Sequence, residues 1–145
     1  MGYKMFENNL ENKLGRGQLI YIMKEMDPKQ VYVESEFQEM LTVEIKLKGN
    51  DKLLVALMYR SPSNEVENYD HLNVAINKLN GLKYSHLLIT GDFNFKNINW
   101  ECVTAEGDEE EKFLDTILEN CLTQHVDQIT RRPRRSNEEP SLLYY

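Results

Sequence analysis

His86-Leu87-Leu88-Ile89-Thr90-Gly91-Asp92-Phe93-Asn94 is the stretch that decides how this chain folds. A short apolar run feeds without interruption into Gly-Asp-Phe-Asn. Such a run, bounded by turn residues, is the pattern of a strand covered on both faces. In α/β folds, ligands bind beyond the carboxyl ends of strands of this kind. In extended chain, Asp92 and Asn94 project to one side, and Phe93 points the other way to anchor the strand end in the core. A carboxylate beside a neutral amide suits phosphoryl chemistry. The acid orients or deprotonates a water, while the amide donates to a non-bridging phosphate oxygen without repelling it. Gly-Asp-x-Asn is equally good turn chemistry, in which Asp and Asn bond only their own backbone. Spacing alone leaves both readings open.

On the amino-terminal side, Leu41, Val43, Ile45 and Leu47 alternate with Thr42, Glu44, Lys46 and Lys48, the period-2 pattern of a half-buried strand. Gly49-Asn50 reads as a two-residue hairpin loop. The return strand, residues 52–59, is apolar nearly throughout until Pro62 forbids further pairing. Asn64 with Glu67 three residues on is a helix-start signature. Tyr69, Leu72, Ile76 and Leu79 then fall on one helical face, and Gly81 supplies a stop. Earlier still, Gly15-Arg16-Gly17 reads as a turn, residues 18–23 and 31–33 as short strands, and residues 1–14 as a polar segment without pattern.

Beyond the decisive stretch, a second helix opens at Asp108, with Phe113, Leu114, Ile117, Leu118 and Cys121 as its buried stripe. The acids between Glu106 and Glu111 are read as a solvated loop feeding a helix amino-terminus, where negative charge is favourable. Strand hairpin, helix, strand, helix is the order of a mixed α/β sheet with helical cover.

At 145 residues the chain is long enough for one core. Hydrophobic residues at 41% and charged residues at 28% exclude both a disordered and a membrane-embedded chain. The longest apolar runs are far too short to cross a bilayer. No signal-peptide stretch is seen, and Cys102 and Cys121 give no disulfide framework, so an intracellular, reducing compartment is expected. Seventeen basic against 24 acidic residues leave a net charge of −7. That balance argues against a general nucleic-acid coat, whose affinity comes from counterion release. It leaves room for an enzyme with a local basic strip or a metal at the phosphate.

Gly91-Asp92-Phe93-Asn94 after an apolar strand, preceded by Tyr59-Arg60-Ser61-Pro62, resembles the endonuclease/exonuclease/phosphatase superfamily. Within it, the chain is most similar to the apurinic-type endonuclease domain of non-LTR (LINE-type) retrotransposon polyproteins. Further stretches match that branch in order: residues 15–23, residues 41–47, Asn97-Ile98-Asn99-Trp100, residues 113–126, Ile129-Thr130-Arg131 and Ser141-Leu142-Leu143. The resemblance implies a DNase I-like four-layer α/β sandwich, two mixed sheets face to face with helices outside, of which residues 15–145 form an incomplete part. It implies Mg²⁺- or Mn²⁺-dependent cleavage of DNA, with a reverse transcriptase domain downstream in a full-length element.

By the same resemblance, Asp92 positions the attacking water, Asn94 holds the phosphate, and Tyr59 places its hydroxyl nearby. Arg60, Asn97, Arg131 and Arg132 fall on the nucleic-acid side. The alternative for Tyr59 is packing on Pro62, and for Arg60 a solvated surface arginine. The family's first-strand Asn, its metal-binding Glu and its closing Asp-His pair find no counterpart here. His71, His86 and His125 read as structural or solvated, and no metal-ligand set is recognised. The expectation is therefore a catalytically incomplete endonuclease domain. The alternatives are a non-catalytic nucleic-acid-binding remnant working through the arginines of residues 131–135, or a phosphatase of the same superfamily.

Overall fold

The computed structural model describes residues 2–10, 17–61 and 66–126, with the backbone alone at residues 66–67. Strand β1 (Tyr3–Asn9) pairs antiparallel with β2 (Gly17–Met23), from Tyr3 opposite Met23 to Asn9 opposite Gly17. The segment that reads as unpatterned thus carries a strand. Its alternation is invisible because Phe6 is the only side chain that β1 fully buries. Strand β2 is deceptive in the opposite sense. Gln18 and Ile22 face inward, whereas Leu19, Tyr21 and Met23 are exposed.

After one 3-10 turn (Lys24–Met26), a four-stranded sheet forms in the order β3 (Lys29–Gln30), β4 (Met40–Lys46), β5 (Lys52–Tyr59) and β6 (His86–Asp92). Strand β3 precedes the expected position at 31–33, and Val31 adds one more backbone bond, to the Thr42 carbonyl at 3.0 Å. Strands β4 and β5 are the predicted hairpin. Its loop is wider than two residues, since Leu47 N–H donates to the Asp51 carbonyl around Lys48-Gly49-Asn50, with Gly49 at φ 73°. Strands β5 and β6 are parallel, from Leu53 opposite His86 to Tyr59 opposite Asp92, and helix α1 (Val66–Gly81) is the crossover that joins them.

Each face of the four-stranded sheet has its own core. Leu41, Val43, Ile45 and Val55 pack against Phe6 and Ile22 of the two-stranded sheet. Leu54, Ala56 and Met58 pack on the other side against Leu72, Ala75, Ile76 and Leu79 of α1. Helix α2 (Asp108–Glu119) completes that layer with Phe113 and Leu114. The order is therefore small sheet, large mixed sheet, helices, an α/β arrangement consistent with a DNase I-like domain.

Four acids, Asp108, Glu109, Glu110 and Glu111, occupy the first turn of α2, as its dipole favours. Two residues of its expected stripe lie elsewhere: Leu118 is exposed, and Cys121, past the helix end at φ 54°, is exposed too. Thr116 is buried instead, its hydroxyl donating to the Lys112 carbonyl one turn back. A small hairpin, β7 (Ile98–Asn99) and β8 (Thr104–Ala105), links β6 to α2. Among the described residues, no helix is long and apolar enough to cross a membrane.

Candidate active site

The carboxyl ends of β5 and β6 bring the sequence candidates together. Tyr59 and Asp92 are register partners at the last position of each strand. Alternation fixes their faces. Met58 and its partner Gly91 belong to the helix side, so Tyr59 and Asp92 turn toward the side that carries the small sheet. Phe93 packs at the strand end as its position predicts, 5.3 Å from the Phe113 ring centroid.

Asn94 is not in extended chain. It lies at φ 53°, and its backbone N–H donates to Asp92 Oδ1 at 3.1 Å. The turn reading and the functional reading are therefore compatible. An Asx-type turn is what holds the acid and the amide beside each other. One side-chain N–H of Asn94 donates to the Arg60 carbonyl at 2.7 Å, which fixes the orientation of the amide.

Arg60 is buried at the end of β5. Its side chain is 3% exposed, and its guanidinium lies over the Tyr69 and Phe95 rings, 4.7 and 4.2 Å from their centroids. An arginine so enclosed is not the solvated surface residue of the alternative reading. Sequence reading missed this because the two rings that cover it come from residues nine and 35 positions away.

Asn97 is exposed at the entry to β7, where its carbonyl accepts the Glu106 N–H at 2.9 Å. Its side chain is free of the strand-end cluster of hydrogen bonds described above. Arg131 and Arg132 lie outside the described residues, as does Pro62. His86 is exposed and 3.9 Å from Asp51, and His125 is exposed.

The sequence also gave no warning of Glu39. Its carbonyl accepts the Tyr59 N–H at 3.0 Å, which continues the β4–β5 register by one residue and sets it opposite Tyr59. Glu39, Tyr59 and Asp92 thus form one row across three adjacent backbone segments, and Glu39 is 2% exposed. Behind the row, Gln18 donates from Nε2 to the Glu39 and Leu57 carbonyls at 3.1 and 3.0 Å. Asn8 donates to Gln18 Oε1 at 3.0 Å and to the Gln38 and Met40 carbonyls at 2.9 and 3.2 Å. Two amides therefore stitch the small sheet to the large one at the end where Tyr59 and Asp92 sit.

The described residues hold no group of three or more His, Cys, Asp or Glu placed to bind a metal. What they provide is a carboxylate, an oriented amide and a phenol at one sheet end, groups that can order a water and donate to an anionic oxygen.

No curated protein matches the chain. A family model described as endonuclease-reverse transcriptase matches residues 53–143, from the start of β5 through the strand-end cluster and α2. That span takes in well over half of the sequence and every position at which Tyr59, Asp92 and Asn94 meet. The chain belongs to the endonuclease-reverse transcriptase family, as an endonuclease-type nuclease domain of retroelement polyproteins.

Proposed function

We propose that this domain binds a DNA phosphodiester at the β5–β6 strand end and supplies the water-orienting half of a hydrolytic site. The observation that carries the reading is the register pairing of Tyr59 with Asp92, with Asn94 locked beside the acid by its N–H to Asp92 Oδ1. Asp92 orients the attacking water and accepts its proton. Asn94 donates its remaining side-chain N–H to a non-bridging oxygen, and Tyr59 donates its hydroxyl to the same phosphate. As the water oxygen bonds to phosphorus and the bond from phosphorus to the leaving oxygen breaks, these groups only partly balance the charge on the non-bridging and leaving oxygens, which is the work a metal does in such reactions. Turnover by the chain alone is therefore proposed to be slow. In a full-length element, a reverse transcriptase domain would follow.

Incubating the purified chain with supercoiled plasmid, in Mg²⁺ and separately in Mn²⁺, tests the reading on a gel. Slow nicking that Asp92→Ala and Asn94→Ala diminish is the expected result. Robust nicking abolished by Asp92→Ala would keep the site and overturn the slow turnover. Nicking indifferent to Asp92→Ala would overturn the site. Release of phosphate from sugar phosphates without any action on plasmid would place the chain among the phosphatases.

A further inference from the structure

A buried guanidinium is costly unless its donors and its charge find partners. At Arg60 the site itself supplies partners for Nε and Nη2. The backbone N–H of Arg60 donates to the Asp92 carbonyl at 2.8 Å. Its Nε donates to the Phe93 carbonyl, and Nη2 to the Asn94 carbonyl at 2.6 Å. Asn94 returns a side-chain N–H to the Arg60 carbonyl at 2.7 Å. Four hydrogen bonds thus join one residue at the end of β5 to three consecutive residues at the end of β6. Tyr69 of α1 and Phe95, whose ring centroids are 5.9 Å apart, both offer ring faces to the charge. Nη1 has no hydrogen-bond partner among the described residues, so Nε, Nη2 and the two rings hold the group in place.

The consequence falls on Asn94. Left-handed backbone is uncommon for a residue with a side chain, although Asn tolerates it better than most. Here both the carbonyl and the side-chain amide of Asn94 are tied to Arg60, so its backbone and its side chain are set by one partner. The planar fork is essential to that arrangement. A lysine carries the same charge as a point, and cannot serve two successive carbonyls in fixed directions.

We infer that Arg60 is a positioning residue of the proposed phosphodiester site. Its guanidinium holds the Asp92–Asn94 turn in its working shape and makes no contact with DNA. The inference rests on the proposed function for its purpose, though the clamp can be tested apart from it. Arg60→Lys and Arg60→Met in the full chain, checked for folding by circular dichroism melts, are followed by NMR. Carboxyl carbon signals report the surroundings of Asp92, and nitrogen–proton spectra report the side-chain amide of Asn94.

Arg60→Lys is expected to fold and to shift the Asn94 amide signals toward those of a solvated amide. The salt dependence of duplex DNA binding separates positioning from contact. Arg60→Met should leave its slope unchanged, whereas losing one phosphate contact would lower it by about 0.9.

Wild-type Asn94 and Asp92 signals in folded Arg60→Lys would overturn the inference, as would a slope lowered by about 0.9 in Arg60→Met. Should both variants fail to fold, Phe95→Leu decides. Weakening one face of the clamp should move the Asn94 signals part of the way, and unmoved signals overturn the inference. A wild-type chain that binds no DNA would overturn the proposed function, leaving the clamp to be decided by NMR.

Discussion

A Cβ placed on Gly91 would lie 1.7 Å from the carbonyl oxygen of Met58. Parallel pairing brings the two backbones together one step before Tyr59 meets Asp92. Gly91 also sits at φ 146°, where side chains are rarely found. The glycine of the Gly-Asp-Phe-Asn stretch is therefore a spacing device. It lets β6 stay in register with β5 to the very residue that carries the acid.

Gly91→Ala should separate these strands at their carboxyl ends. Backbone strain of this kind costs about 1–3 kcal/mol, and the displaced Met58 carbonyl adds to it. Urea unfolding should show a lower midpoint. Amides of Tyr59 and Arg60 should exchange faster than those of Leu54 and Val55, which lie at the protected end of the strand.

Phe93, Phe95 and Phe113 form an aromatic cluster beneath the site, with Phe95 and Phe113 stacked at 4.4 Å between centroids. Phe113 is 2% exposed, and Phe113→Ala should destabilise the domain by about 3–5 kcal/mol. Leu118→Ala, on the same helix but 51% exposed, should change stability by less than about 0.5 kcal/mol. Thermal melts of the two variants compare the faces of α2 directly.

Glu44 and Tyr84 give the fold a pH dependence on both sides of neutrality. Glu44 accepts from Lys52 Nζ at 3.1 Å and from the Tyr84 hydroxyl at 3.0 Å. The Lys52 bond, aided by that of Tyr84, holds its pKa below the ordinary carboxylate value. Its contribution is present at neutral pH and disappears as pH falls through the folded-state value. Burial, then the bond to Glu44, raises the pKa of Tyr84. Its contribution is full below the ordinary phenol range and is lost as pH climbs through the raised value. Glu44→Gln should cost less than about 1 kcal/mol at pH 7 and converge with wild type in acid. Tyr84→Phe should flatten the alkaline limb. Denaturant titrations across pH check both.

Much of this arrangement is legible in the residues. The period-2 alternation of Leu41, Val43 and Ile45 gives β4, and the continuous run of residues 52–59 gives β5. The helical spacing of Leu72, Ile76 and Leu79 gives α1. Asp92 and Asn94 announce themselves by their place after a buried strand. Three features escape such reading, each for a physical reason. Strand β1 buries only Phe6 and so lacks a pattern. Arg60 looks like a surface arginine because the rings that cover it are distant in sequence. Glu39, Gln18 and Asn8 act through backbone carbonyls on neighbouring strands, and nothing in the order of residues marks such bonds.

Gln18 offers the sharpest test of how the two sheets are held together. It is 7% exposed, and its single amide nitrogen serves two carbonyls, those of Glu39 and Leu57, on adjacent strands of the large sheet. Its oxygen accepts from Asn8, which is anchored in turn to the Gln38 and Met40 carbonyls. Gln18→Leu preserves most of the volume but takes one donor from each of the Glu39 and Leu57 carbonyls and one acceptor from Asn8. Each hydrogen bond lost costs about 0.5–1.5 kcal/mol, so the loss of two buried bonds to carbonyls should exceed that of Asn8→Ala, whose site is closer to water. The double variant should lose less than the sum of the two single losses, because they break a bond in common. If the amides act as a stitch at the site end only, exchange should quicken at Met40 and Tyr59 and stay slow at Ile45 and Leu53. Uniform quickening along β4 and β5 would instead show that Gln18 supports the whole sandwich.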